Sequence, residues 1–209
     1  MSKRDFLNEA FHGKDSDEAQ AFYDDWADTY EQTHTEMGYL APKRCARALQ
    51  QFVEDTSAPV LDIGCGTGLS GIALHDARFS HIVGTDLSSG MLEKAQQHKG
   101  VYSRLFQADL SKGVPREAGA FSHALAAGVY SPGHAPASGI ELIVNHLQAQ
   151  GCFSFSLNDH SLQDGRYEAA VVDLVKRDVV EEVFREHAIN VPGTGLFATV
   201  IVLRKRDKR

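Results

Sequence analysis

A chain of 209 residues is long enough for one α/β domain with a substantial core and too short for two. Its 21 lysines and arginines against 28 aspartates and glutamates leave a formal charge of −7, which favours solubility and argues against a polyanionic substrate such as nucleic acid. Three cysteines (Cys45, Cys65 and Cys152) and ten histidines are scattered without metal-ligand spacing, so reduced thiols and no bound metal are expected; no apolar run reaches membrane-spanning length and no leader pattern opens the chain, which makes the cytoplasm the expected compartment.

The first residues are polar, and Asp15 or Ser16 then opens a predicted amphipathic helix whose Ala19, Phe22, Tyr23, Trp26 and Tyr30 fall at helical spacing. A second helix follows Ala41 and Pro42, with proline suited to a first turn and Cys45, Ala48, Leu49, Phe52 and Val53 turned inward. Residues 1–55 read as an N-terminal helical lid segment and residues 56–209 as the α/β core of one domain.

The core opens on an apolar strand, Val60-Leu61-Asp62-Ile63, that runs into Gly64-Cys65-Gly66-Thr67-Gly68 and then a helix from Leu69. Alternating glycines allow positive φ and a close ligand approach, and the amides that open the next helix point into the same space. Asp62, two residues before the first glycine, would repel a pyrophosphate and welcome a cation. S-adenosylmethionine, with an α-ammonium, a sulfonium and no phosphate, has that chemistry. The next strand, residues 81–86, ends in Asp86 at about the twenty-residue spacing where an acid meets ribose hydroxyls. Leu87 follows, and Ser88 or Ser89 can cap a helix that places Met91 near an adenine face. Asp109, with Leu110 beside it, ends the segment 104–110, where it could accept from an adenine amino group.

A polar loop with Lys112, Pro115 and Gly119 leads to a fourth strand, 121–128, whose closing Ala127 and Gly128 complete the candidate cofactor set. The Gly/Pro-rich loop after it carries Tyr130 and His134, and could either shape a substrate pocket or merely connect. Ile140, Ile143, Val144 and Leu147 predict a helix, and Phe153, Phe155 and Leu157 alternate with Ser154 and Ser156 in a fifth strand, after which come Asn158 and His160. One more helix runs through Tyr167, Ala170, Val171, Leu174 and Val175. No helix separates 179–184 from 197–203, so these should pair antiparallel, the apolar last strand central and its partner an edge blunted by Glu181, Glu182, Arg185 and Glu186. The basic end, 204–209, reads as a solvated tail.

Three strands that each end in an acid, carried by LDIGCGTG, GTDLSSGMLEKA and QADL, resemble the class I S-adenosylmethionine-dependent methyltransferases. FYDDWADTYE, AGVYSPGHAP and LFATVIVLRKR are similar to segments of the Williams-Beuren-syndrome-region methyltransferase-like proteins. The resemblance implies a doubly wound, seven-stranded Rossmann-like sheet, mostly parallel with an antiparallel last strand inserted beside the fifth. It implies S-adenosylmethionine as cofactor, S-adenosylhomocysteine as product, and a ring of Tyr23, Trp26 or Tyr30 closing over the donor. Tyr130, His134 and Asn158 are the candidate catalytic residues, with His160 lining the same pocket.

The acceptor expected from the charge balance is a small molecule; the resemblance names none, and no oligomeric state follows. Other readings are a non-catalytic S-adenosylmethionine-binding protein and a methyltransferase acting on protein or RNA. A nicotinamide-dependent oxidoreductase is disfavoured by Asp62 and by the missing third glycine of the dinucleotide fingerprint.

Overall fold

The computed structural model describes Ala21, Asp24, residues 36–109 and residues 112–207. The stripe of Tyr23, Trp26 and Tyr30, and also Leu110, lies outside the described residues. From Ala41 the order is α1 (Ala41–Gln50), β1 (Val60–Ile63), α2 (Leu69–Asp76), β2 (Ile82–Asp86), α3 (Ser89–Ala95), β3 (Arg104–Gln107), a 3₁₀ turn (Arg116–Ala118), β4 (His123–Ala126), α4 (Ser138–His146), β5 (Cys152–Asn158), α5 (Asp159–Asp164), α6 (Arg166–Lys176), β6 (Val180–Val191) and β7 (Leu196–Lys205).

The seven strands lie in the order β3-β2-β1-β4-β5-β7-β6, with the last strand beside the fifth as expected. The first five are parallel, whereas β7 runs antiparallel to both β5 and β6. Strand β1 is flanked by β2 on one side and β4 on the other, so the chain leaves it in one direction and returns on the opposite side. That reversal opens a crevice at the carboxyl ends of β1 and β4, where open α/β sheets hold ligands. Strands β1 and β4 are buried at every residue, which is why both are mainly apolar on both faces rather than alternating, with Asp62 and His123 as their buried polar members.

The core has two layers. On one face Leu61, Ile63, Phe153, Phe155 and Ile201 pack with Ile140 and Ile143 of α4 and Val171 and Leu174 of α6. On the other, Val60, Ile82, Leu125, Val200 and Val202 pack with Cys45, Ala46 and Leu49 of α1 and Ala73 and Leu74 of α2. Helix α1 is thus part of the packed body. Strand β7 is central and buried from Ala198 to Leu203. Its partner β6 pairs with β7 as far as Val191, well beyond the expected 179–184, and Arg44 of α1 donates to the carbonyls of Ala188 and Ala198 at 3.2 and 3.0 Å, tying the far end of the hairpin to the body. After β5 a short helix, α5, precedes α6, and Gly165 at φ +75° divides them.

Candidate functional site

Three segments meet at the carboxyl edge of the sheet: residues 64–68 after β1, Asp86 at the end of β2, and residues 127–131 after β4. In the first, Gly64 and Gly66 have φ of +58° and +55°, a region costly to side-chain-bearing residues. The two differ in surroundings. A Cβ on Gly64 would lie 2.7 Å from Val129 Cγ2, so that glycine lets the two loops touch. A Cβ on Gly66 would meet no atom within 4 Å, so that glycine faces open space.

Asp86 braces this loop from below. Its Oδ2 accepts from the Gly66 amide at 2.8 Å and its Oδ1 from the Ser88 amide at 2.9 Å. A carboxylate has about four acceptor sites, which leaves capacity for ribose hydroxyls. Burial pushes the Asp86 carboxyl above its ordinary value even though the two amides pull it down. Ser88 is the residue that caps α3, accepting from the Met91 amide at 3.0 Å. Met91 itself, expected at an adenine face, is 1% exposed and belongs to the packed interior. The Leu87 carbonyl accepts from Gln107 Nε2 at 2.8 Å, and Asp109 Oδ2 lies 3.1 Å from Lys112 Nζ.

Asp62 is fully buried. Its Oδ2 accepts from Ser70 Oγ at 2.8 Å and from the Tyr102 hydroxyl at 2.7 Å. Its Oδ1 is buried and has no hydrogen-bond partner among the described residues, and the same holds for Thr67 Oγ1 in the glycine loop. Burial raises the Asp62 carboxyl to about 7, against the lowering effect of Tyr102 and Ser70. Orphaned polar atoms at this depth are costly in a finished interior, and they mark where a polar ligand group would bond. Cys65, between the glycines, is buried and its thiol is pushed well up by burial and then by Asp62 and Asp86, so it is a neutral wall.

On the β4 side, Gly128 has φ +74°, and its amide donates to Ser156 Oγ at 2.9 Å. A Cβ there would lie 2.3 Å from the Tyr39 hydroxyl oxygen, so Tyr39 reaches directly over Gly128 beside the half-buried Ala127. Asp24 reaches the site from the N-terminal side: its Oδ1 accepts from Ser88 Oγ and, at 2.9 Å, from the Gly90 amide.

The candidate catalytic residues divide. Tyr130 is 2% exposed, with its ring edge-on to Phe153 and Phe155 at 6.1 and 5.8 Å, and burial pushes its hydroxyl up. An apolar cluster of this kind opposes the phenolate. Asn158 caps α5, its Oδ1 accepting from the amide and hydroxyl of Ser161 at 2.9 and 2.8 Å. His160 is exposed on the same short helix. His134 stays in the loop after β4, half-buried, with Nδ1 2.6 Å from Ser131 Oγ. Tyr102, Ser70, Tyr39 and Ser131 escaped the sequence reading. The signal for Tyr102 was there in Gly71 and Gly84, two glycines inside a helix and a strand that vacate a slot for its ring.

Among the described residues no helix is long and apolar enough to cross a membrane, and no group of three or more histidine, cysteine or acidic side chains could hold a metal.

Residues 60–151 match the family model described as a methyltransferase domain. The human methyltransferase-like protein 27 is 34% identical over 160 residues, covering 75% of this chain and 65% of the relative. The 18S rRNA (guanine-N(7))-methyltransferase bud23 of Schizosaccharomyces pombe is 29% identical over 102 residues, covering 49% of this chain and 38% of that one. The chain thus spans less than two thirds of the length of these curated relatives. Among solved structures, the putative methyltransferase in complex with the Haloferax volcanii Trm112 activator superposes with a TM-score of 0.68 at 15% identity, covering 91% of this chain and 98% of that one. A Burkholderia thailandensis 1,6-didemethyltoxoflavin-N1-methyltransferase with bound S-adenosylhomocysteine gives 0.61 at 19% identity, covering 88% and 87%. These two show a shared fold.

Proposed function

We propose that this chain is a class I S-adenosylmethionine-dependent methyltransferase, as the methyltransferase-domain match and the human relative support, and that it transfers a methyl group from S-adenosylmethionine to a small-molecule acceptor. One observation supports this most: a fully buried carboxylate, Asp62, with one oxygen unpartnered among the described residues, stands beside a glycine loop that leaves open space at Gly66. A cationic amino-acid group fits that oxygen, and a phosphate does not.

Bound S-adenosylmethionine supplies a methyl already activated on a sulfonium. The residues of this chain therefore have mainly to hold donor and acceptor in line, which is worth about 7–11 kcal/mol of barrier. Asp62 would hold the α-ammonium. Asp86, fixed by the Gly66 and Ser88 amides, would accept from the ribose hydroxyls, and Asp109 would accept from the adenine amino group. Gly64, Cys65, Thr67, Gly68, Leu87, Ala127 and Gly128 would form the walls. For an acceptor that must lose a proton, His134 is the group in reach of the loop after β4, oriented through Ser131.

The small-molecule reading is supported by the charge of −7. RNA is the second reading, favoured by relatives such as the Bos taurus 18S rRNA (guanine-N(7))-methyltransferase, 40% identical over 81 residues. The test is transfer of labelled methyl from S-adenosylmethionine into a cell extract that is then separated into metabolites, RNA and protein. Label in the metabolite fraction is expected. Label confined to RNA or protein would replace the acceptor class, and binding without any transfer would leave a sensor in place of an enzyme.

A further inference from the structure

Tyr102, in the turn before β3, occupies a slot made for it. A Cβ on Gly71 of α2 would lie 2.2 Å from its Cζ and hydroxyl oxygen, and one on Gly84 of β2 would lie 2.7 Å from its Cε1. Glycine is unfavourable inside a helix or strand, so two of them facing one ring mark a close approach that the fold requires. Filling this slot would take only a phenylalanine. The hydroxyl is used elsewhere: it donates to Asp62 Oδ2 at 2.7 Å, the same oxygen that receives Ser70 Oγ at 2.8 Å. Both donors thus converge on one oxygen of a fully buried acid, while the other oxygen has no partner among the described residues.

We propose that Tyr102 is a positioning residue for the cofactor's cationic end: its hydroxyl fixes the Asp62 carboxylate with Oδ2 occupied, so that Oδ1 is presented to the α-ammonium. The proposal rests on the cofactor reading above. Two effects follow from the hydrogen bond. It locks the rotation of the carboxylate, and it stabilises the charged form against burial. The other ionisable groups bearing on Asp62 are Asp86, which raises its carboxyl further, and the buried thiols Cys45 and Cys65, which are both pushed up and neutral.

The test is Tyr102→Phe, which keeps the ring in its slot and removes only the hydroxyl. Calorimetry at pH 8 compares S-adenosylhomocysteine with its deaminated analogue, in which hydrogen replaces the α-ammonium. The wild type should prefer S-adenosylhomocysteine. In the variant that ligand should lose about tenfold in affinity, the scale of a hydrogen bond to a charged group, while the deaminated analogue binds as before. The pH at which S-adenosylhomocysteine affinity falls off should also move upward. Equal discrimination by wild type and variant overturns the proposal, and so does an equal loss of both ligands, which would make Tyr102 a packing residue. If the wild type itself binds the two ligands equally, Asp62 does not meet the ammonium, and that outcome removes the underlying site assignment together with the role of Tyr102.

Discussion

Replacing Asp62 by asparagine should make the ligand-free protein more stable at pH 8 while weakening its hold on the cofactor. The carboxyl rises from an ordinary value of 3.8 to about 7, chiefly through burial. Because the folded-state value is raised, the fold binds this proton more tightly than the unfolded chain does. The group's contribution is therefore most favourable below about pH 4 and is lost as pH rises through about 7. At about 1.4 kcal/mol per pKa unit, keeping the carboxylate charged above pH 7 costs the fold about 4 kcal/mol. Asparagine removes that charge and leaves an oxygen to accept from Tyr102 and Ser70, but it places an amide where Oδ1 stood, at a cost of about 1–3 kcal/mol if unpaired. The net gain at pH 8 is about 1–3 kcal/mol, or about 3–10 °C in Tm for a chain of this size. At pH 5 the wild-type acid is already neutral, so the advantage should vanish or change sign. Asp86 is also raised and its charge adds to the rise at Asp62, so the asparagine relieves that repulsion too and acts in the same direction at pH 8. Thermal unfolding of the two proteins at pH 5 and pH 8, with calorimetry for S-adenosylhomocysteine, checks both halves. A Tm difference that is the same at both pH values, or a variant that is less stable at pH 8, would refute the reasoning.

Asp86→Ala should weaken S-adenosylhomocysteine by about 1.5–3 kcal/mol in calorimetry, and it should also lower Tm, because the Gly66 and Ser88 amides lose their acceptor. Gly66→Val should fold with a loss of stability from its positive φ, since its Cβ enters open space, and yet fail to bind the cofactor; Gly64→Val should lose more stability in thermal unfolding, because its Cβ would in addition press on Val129 at 2.7 Å. The fluorescence of Trp26, the sole tryptophan, should change at saturating S-adenosylmethionine, and Asp24→Ala, which removes the acceptor for Ser88 and Gly90, should alter that response. An unchanged signal would separate the N-terminal segment from the site.

The strands and the glycine loop were legible because their signals are local: apolar runs bounded by glycine, and an acid at or within two residues of the end of β1, β2 and β3. The central place of β7 followed from its apolar character on both faces. What the sequence concealed depends on contacts between distant segments. Tyr130 looked accessible in a loop rich in glycine and proline, but its carbonyl accepts from Ser161 Oγ at 2.8 Å and the loop turns back on itself in a bridge between Tyr130 and Ala135, which carries the ring into the core. Asn158 resembled a pocket residue, although an asparagine three positions before Ser161 also has the spacing of a helix cap, and that is the bond it makes. Arg44 ties the far end of the β6–β7 hairpin to the body by reaching carbonyls more than 140 positions away, which no window of local pattern detects.

The account turns on Asp62 Oδ1, which has no partner among the described residues, and a crystal structure of the protein with S-adenosylhomocysteine tests it most directly. The α-ammonium should lie about 2.7–2.9 Å from Asp62 Oδ1, the range of a charge-assisted hydrogen bond, with Tyr102 and Ser70 still on Oδ2 and the ribose hydroxyls against Asp86. An ammonium bonded elsewhere, with Asp62 Oδ1 still unpartnered or turned toward another protein group, would contradict it.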